Sequence, residues 1–411
     1  MKKLAFRFSA ACLTFFVGTV SISFFVKSRN RLAVSIAEGQ TLSIAEAKRE
    51  IERGLASDKL EKIADLPARN EYYEWNWIQF ISESDGWLKA DEKLWSTRDG
   101  GKTWKLIFDG GVYKPLVGSS ETEPNSIYDF QFINAQVGWL LQGGRMFKTV
   151  DGGRSWEPFA ESLMASYEDR FSAPFYTFKF LPDGRRGWIA GGSYRHLKEG
   201  ESVANRYSSN NGKEGMFGAI FSTEDGGRTW RKQLLQGSGH IGEIFFLDGE
   251  HAWAVGTSGA YYLKNGRWLE TETDAWDEKG NVIAESLDVV IGAPTCSPVA
   301  VYFLNSQLGW LSNSNGYLAK SIDGGKTWQD IVNIRDYQDK DWPLLSLYPL
   351  YFRDSLHGWA LGSDGAIRQT LDGGATWKKL EADVEFTNIF FLDSWHGWAI
   401  SKDGLYRIKR F

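Results

Sequence analysis

The sequence predicts an all-β fold: a ring of seven four-stranded blades, a β-propeller, preceded by an apolar amino-terminal helix and a short helical linker. Three observations predict it. A Trp-bearing motif recurs seven times, a Gly-rich turn string recurs five times, and the two recur in phase. The composition agrees, since 44 Gly and 19 Trp against 10 Pro in 411 residues suit short strands, tight turns and large repeated anchors.

The chain opens MKKLAFR, and Phe8 to Val26 then carries no charge over nineteen residues. A helix of that length reaches ~28 Å, enough to cross a hydrocarbon core. Lys27, Arg29 and Arg31 follow at once, and the small-x-small site Ser35-Ile36-Ala37 lies beyond them. A cleaved signal has a shorter apolar region with such a site directly after it. Residues 1–31 therefore read as a signal anchor, with a cleaved signal peptide as the alternative. Cys12 lies near the start of the apolar run, whereas a lipid-modified Cys follows it. Lys2, Lys3 and Arg7 balance Lys27, Arg29 and Arg31 across the span, so local charge leaves orientation open. Amino-terminal position and scarce cysteine favour an extracytoplasmic propeller in a periplasm or equivalent lumen, anchored to the membrane, or secreted if the segment is cleaved. Residues 32–58 read as a helical linker, with Ser43 and Glu46 as a capping box ahead of AEAKREIERG.

From 59 to 411 the repeat takes over. The turn string reads STRDGGKTW, KTVDGGRSW, STEDGGRTW, KSIDGGKTW and QTLDGGATW, ending at Trp104, Trp156, Trp230, Trp328 and Trp377. The second motif, a small residue then Trp then apolar residues, places Trp87, Trp139, Trp188, Trp253, Trp310, Trp359 and Trp398. Trp-to-Asp separations of 12 (Trp87 to Asp99, Trp139 to Asp151) and 13 (Trp310 to Asp323, Trp359 to Asp372) set the phase, and 37 from Trp188 to Asp225 marks an insertion. In the fourth unit KNGRW, ending at Trp268, replaces the string. Each unit parses into four strands of four to six residues between Gly/Asp turns, as in LLSLYPLYF, WALG, AIRQT and TWKKLE. Trp77 to Phe411 spans 335 residues, about 48 per unit for seven blades. The last unit supplies three strands, and the run Leu60 to Pro67, or the run just after it, is expected to complete it, a helix there being the alternative.

The turn string has a structural logic. Its glycines supply φ > 0, its Asp accepts turn amides, and the following Thr or Ser adds a further bond. Asp99, Asp151, Asp225, Asp323 and Asp372 therefore read as structural. Repeated turns of this kind are Asp-box (BNR) repeats, shared by sialidases, other glycosidases and many non-enzymatic propellers. The combined form, clearest in LLSLYPLYFRDSLHGWALGSDGAIRQTLDGGATW, resembles the photosystem II stability/assembly factor family and its bacterial relatives over about residues 60–411. That resemblance implies a non-enzymatic platform that holds a membrane-protein partner. A cell-surface glycoside hydrolase or carbohydrate-binding propeller is the alternative, and an adhesin-like module a third reading.

Several classes are excluded. A net charge of −5 offers no global field for nucleic acid. Cys12 and Cys296 make neither a disulfide framework nor a thiolate metal cluster, and five scattered His hold no H-x-x-x-H pair. No phosphate-binding Gly string precedes a helix, so no cofactor and no metal is expected. A sialidase clamps its substrate with Arg side chains, yet EWNWIQFISESDGWLKADEKLWS contains none. A pair of channel carboxylates from different blades stays open.

Candidate binding residues lie on one face. The third turn of a blade, which holds the Asp box, shares its face with the first turn. The second turns, the inter-blade links and the 191–216 insertion share the other, where functional loops gather. The insertion carries Tyr194, Arg195, His196, Arg206 and Tyr207, suited to carboxylates, sugars or a peptide terminus. It reads as a loop with no strand to fix Arg195 or Arg206. Arg145, and Trp276 and Trp342 in the 269–297 and 331–346 links, complete the candidates.

Overall fold

Seven antiparallel sheets follow one another along the chain, each ordered from an inner first strand to an outer last one. The computed structural model describes three short strands near the amino terminus and residues 59–409, apart from 68–75, 111–126, 164–174, 197–207, 210–213, 236–238, 272–274, 277–281, 285–297, 333–345 and a few single positions. Blade one comprises Trp77–Phe80, Gly86–Ala90, Lys93–Thr97 and Lys105–Asp109. Blade two comprises Ile127–Phe132, Gly138–Gln142, Arg145–Thr149 and Glu157–Phe159. Blade three has Phe175–Phe180, Gly187–His196, Glu214–Thr223 and Arg231–Leu235, with Ser208–Ser209 added. Blade four has Ile241–Phe246, Ala252–Gly256, Gly259–Lys264 and Arg267–Glu270. Blade five runs Pro298–Phe303, Gly309–Asn313, Leu318–Ser321 and Gln329–Val332, and blade six Leu347–Phe352, Gly358–Gly362, Ile367–Thr370 and Lys378–Lys379.

Blade seven closes the ring. Phe386–Phe391, Gly397–Ser401 and Leu405–Lys409 come from the carboxyl end, and the outer strand, Lys59–Ala64, comes from the other end of the chain. Ile408 pairs with Leu60 and Arg407 with Glu61, so the run expected to complete the blade is a strand and not a helix.

The recurring Gly-Trp pair is explained at the blade boundary. Every second strand has a five-residue buried core segment headed by a small residue, and its Trp lies against the last Phe of the next blade's first strand. Trp87–Phe132, Trp139–Phe180, Trp253–Phe303 and Trp310–Phe352 stack with centroids 3.5–4.2 Å apart and planes within 9°. Trp398 of blade seven stacks on Phe80 of blade one at 3.9 Å, so the seam uses the same contact. The Phe in turn lies flat on its own blade's Gly. A Cβ added at Gly86, Gly138, Gly309 or Gly358 would come within 2.6 Å of that ring. Two pairs are tilted: Trp188–Phe246 at 30°, where blade four has Ala252, and Trp359–Phe391 at 36° and 5.0 Å, where blade seven keeps Gly397.

The Asp boxes tie into the same boundary. In the first, Thr97 donates to Asp99 Oδ1 at 2.8 Å and accepts the Gly101 amide at 2.9 Å. Asp99 also accepts the Thr103 amide at 2.9 Å and its hydroxyl at 2.6 Å. The Thr103 hydroxyl first, then its amide, hold the Asp99 carboxyl down at about 2. Asp151, Asp225, Asp323 and Asp372 repeat this pattern. Gly101 has φ 93°, and a side chain there would strike Leu405 of the preceding blade. In blade four the string is replaced by a two-residue Asn265-Gly266 hairpin with φ 49° and 70°.

At the amino terminus the expected helix over 8–26 is not confirmed among the described residues. Leu4–Phe8, Ala11–Phe15 and Ser23–Val26 form a three-stranded antiparallel sheet. The run is rich in Phe, Val, Ile, Ser and Thr, which suit extended pairing; only a hydrocarbon surround forces such a segment to satisfy its backbone within itself. No helix among the described residues is long and apolar enough to cross a membrane. The linker at 32–58 lies outside the described residues.

The stacks generate a stability test. Gly138→Ala should lower the unfolding free energy by about 1–3 kcal/mol, because Phe132 is held by Trp87 and cannot retreat. Ala252→Gly should change it less. Urea denaturation checks both, and an unaltered Gly138→Ala protein would remove the Phe-on-Gly explanation.

Candidate functional site: the channel and the link face

First strands line the central channel, and their exposed inner edges are capped by side chains from the preceding blade. Gln79 accepts the Phe132 amide at 2.8 Å and donates to the Phe132 carbonyl at 3.0 Å. Gln131 does the same to Phe180 at 2.7 and 2.9 Å. Tyr302 receives the Phe352 amide. A second row lies two residues nearer the link face. There Asp129 takes the Phe178 amide at 3.2 Å, the Thr177 hydroxyl at 2.9 Å and the Lys179 ammonium at 3.2 Å. Glu243 takes the Val301 amide.

Near the link-side end of the channel, six first strands carry a register shift that bypasses Tyr128, Tyr176, Gly242, Val299, Thr387 and, in blade six, the pair Tyr348 and Pro349. Such bulges re-aim side chains. Tyr128 meets Tyr176 edge-on at 6.1 Å, and Tyr176 lies 4.7 Å from the His240 ring. Trp77 of blade one reaches Tyr348 of blade six at 6.3 Å, a contact past blade seven that only channel-facing rings can make. The link end is thus aromatic, with Asp129, Lys179 and Glu243 beneath it.

Electrostatics single out Glu243. Burial pushes its carboxyl up to about 8, against the opposing pull of Lys179 and the Val301 amide, and Asp129 adds to the rise. Its Oε2 is closed from solvent without a hydrogen-bond partner. Burial also lowers the His240 imidazole, and raises the Tyr348 phenol together with the charges of Glu243 and Asp129. Among the described residues no group of three His, Cys, Asp or Glu could hold a metal ion.

The described ones among the residues expected from the sequence lie on separate strands and hairpins of blades two and three and of the link after blade four. Tyr194, Arg195 and His196 lie on one strand, opposite Met216, Gly215 and Glu214, so the reading of this stretch as a loop without a fixing strand is corrected for Arg195. The strand runs on through Gly191 and Gly192 past Phe175, where the inner strand stops. Arg145 opens the third strand of blade two opposite Gln142. Trp276 lies on a separate hairpin in the link between blades four and five. Arg206, Tyr207 and Trp342 lie outside the described residues. Sequence reasoning missed Asp129, Lys179 and Glu243. The signal that finds them is an alignment of the seven first strands on their last Phe, which exposes where these positions differ.

No protein-family profile matches the sequence. The chain is 22% identical over 321 residues, 64% of its length and 87% of the relative's, to the photosystem II assembly protein Ycf48 of Thermosynechococcus vestitus. The chain resembles this assembly factor. A solved structure of YCF48 bound to D1 peptide aligns with a TM-score of 0.55 at 18% identity, covering 86% of this chain and 97% of that one. Virginiamycin B lyase from Staphylococcus aureus aligns at 0.56 with 11% identity, covering 86% of this chain and all 100% of the lyase. These structural likenesses establish the fold, and a fold shared by Ycf48 and a lyase leaves the chemistry to be read from this chain's own side chains.

Glu243 gives a signed pH dependence. Its carboxyl ionises near 4.5 when unfolded and near 8 in the ring, so the native state binds the proton more tightly between those values. Its contribution is full below 4.5 and is lost as pH rises through 8. Glu243→Gln should match the wild type near pH 5 and exceed it near pH 9, the gap growing by at most about 1.4 kcal/mol per pH unit. Urea titrations at both pH values decide it; a gap independent of pH would contradict the assignment.

Proposed function

We propose that the protein is a non-enzymatic assembly platform that holds an extended segment of a membrane-protein partner on its link face. The observation that carries this reading is the asymmetry of that face. The second strands of six blades span five residues each, whereas that of blade three spans ten, and its partner strand matches it. The five extra residues extend the hairpin by ~17 Å at about 3.4 Å per residue. The resemblance to Ycf48, which is known bound to D1 peptide, supports a peptide segment as the ligand. The two channel carboxylates serve as clasps on a neighbouring blade's backbone, which favours binding over glycoside hydrolysis.

In this reading the apolar run 8–26 tethers the propeller to the membrane, with the ring on the extracytoplasmic side. The run's length supports the tether, and its amino-terminal position with scarce cysteine supports the orientation.

Replacing 193–215 by a tight turn should leave the melting transition of the ring in place and abolish retention of an integral membrane partner from solubilised membranes. Equal retention by the shortened protein would sink the proposal. The tether has its own test: the full chain should stay with membranes through an alkaline carbonate wash and a chain lacking 1–31 should not. Release of the full chain by the wash would contradict the anchor.

A further inference from the structure

Two acidic clasps occupy the same place in the repeat, and they are completed differently. Asp129 and Glu243 each stand three residues before the last Phe of a first strand, Phe132 and Phe246. Each reaches the next blade and takes the equivalent amide, that of Phe178 or of Val301, two residues before Phe180 or Phe303. At Asp129 the residues flanking that amide finish the clasp, with the Thr177 hydroxyl and the Lys179 ammonium both donating to Oδ2. Blade five carries Ala300 and Tyr302 at those two positions. Glu243 Oε2 therefore lacks the hydroxyl and the ammonium that its counterpart receives, and it is buried with no donor among the described residues.

The surroundings suit a cation with an alkyl stem. Tyr302 lies 5.1 Å from Phe245 and 5.3 Å from Tyr351, so an aromatic wall runs over blades four to six where blades one to three carry Gln79, Gln131 and Lys179. Such rings pack methylenes and attract an ammonium through their faces. The lumen reaches Lys179, whose side chain is 34% exposed, and an incoming ammonium displaces side chains to reach the closed Glu243 Oε2. The charged and titratable groups acting on this point are Asp129 from blade two, Lys179 from blade three and Tyr348 from blade six, with His240 at the head of the strand that carries Glu243. Ionised Glu243 adds one negative charge beside the Asp129–Lys179 ion pair.

We propose that the channel at Glu243 binds a primary ammonium group, which gives Oε2 the donor that Lys179 gives Asp129. The ligand class is an alkylammonium, either a free amine or a lysine side chain of a polypeptide. The site is built from the ring's own residues and stands whether or not the link-face hairpin holds a partner.

Calorimetry on the full chain with n-butylammonium at pH 9 tests it, with n-butanol as the neutral probe of the same shape. The amine should bind and the alcohol should not. Affinity should fall at least tenfold between pH 9 and pH 6, as Glu243 takes up its proton, and at least tenfold in Glu243→Gln. Should that variant fail to fold, the Glu243 carboxyl followed by carbon NMR in the wild type decides instead, and saturation with n-butylammonium should move its titration to lower pH. A lysine-containing peptide that binds more tightly than n-butylammonium, and loses the advantage on acetylation, identifies a polypeptide as the source; equal affinities identify a free amine. Binding of butanol as strong as that of the amine, indifference to Glu243→Gln, or an unmoved carboxyl titration would each overturn the proposal.

Discussion

The ring depends on one contact repeated at its blade boundaries: the Trp of one blade meets the Phe of the next, stacked flat at five of them and tilted at two. An aromatic pair contributes about 0.5–1.5 kcal/mol beyond the area it buries, but its larger effect is geometric. The Phe must lie flat, so the residue beneath it must be Gly or nearly so. The box Trp of the same blade meets that Phe edge-on, as Trp156 does Phe132 and Trp377 does Phe352. A basic residue of the third strand covers the stacking Trp, as Lys148 covers Trp139 and Lys320 covers Trp310. The motif letters are therefore the parts of one joint, and the sites described above are what the joint leaves over.

That explains what could be read in the sequence. Trp87 and its six counterparts repeat because every boundary uses one, and the five box Asp residues because five blades share the same turn, so their phase revealed blade number, strand order and which face each turn occupies. The closing role of Lys59–Ala64 followed from counting a missing strand. The channel was hidden for the same reason. Asp129, Lys179 and Glu243 occupy positions where the blades differ, and a search for likeness passes over them. The strand character of Tyr194 to His196 was also out of reach, because a polar, Gly-flanked stretch carries no alternating pattern. At the amino terminus an apolar run satisfies either a helix in lipid or paired strands without it, and composition alone does not choose.

The two faces of the ring divide the labour. On the box face, carboxylates are consumed by Thr and Ser hydroxyls and by turn amides, leaving little for a ligand to gain. On the link face even the turns hold their charges in local pairs, as Lys89 does with Glu92 at 3.1 Å and Arg368 with Asp364 at 2.6 Å. What breaks the symmetry there is the long hairpin of blade three and the aromatic mouth beside it.

The seam of the ring also ties distant parts of the chain together. Lys59–Ala64 and its partner Leu405–Lys409 are separated by more than three hundred residues, the kind of long-range pairing that forms slowly. Until that pairing forms, Lys59–Ala64 keeps an open strand edge, a template for pairing with another chain. Closure of blade seven removes that edge and makes the two segments each other's support.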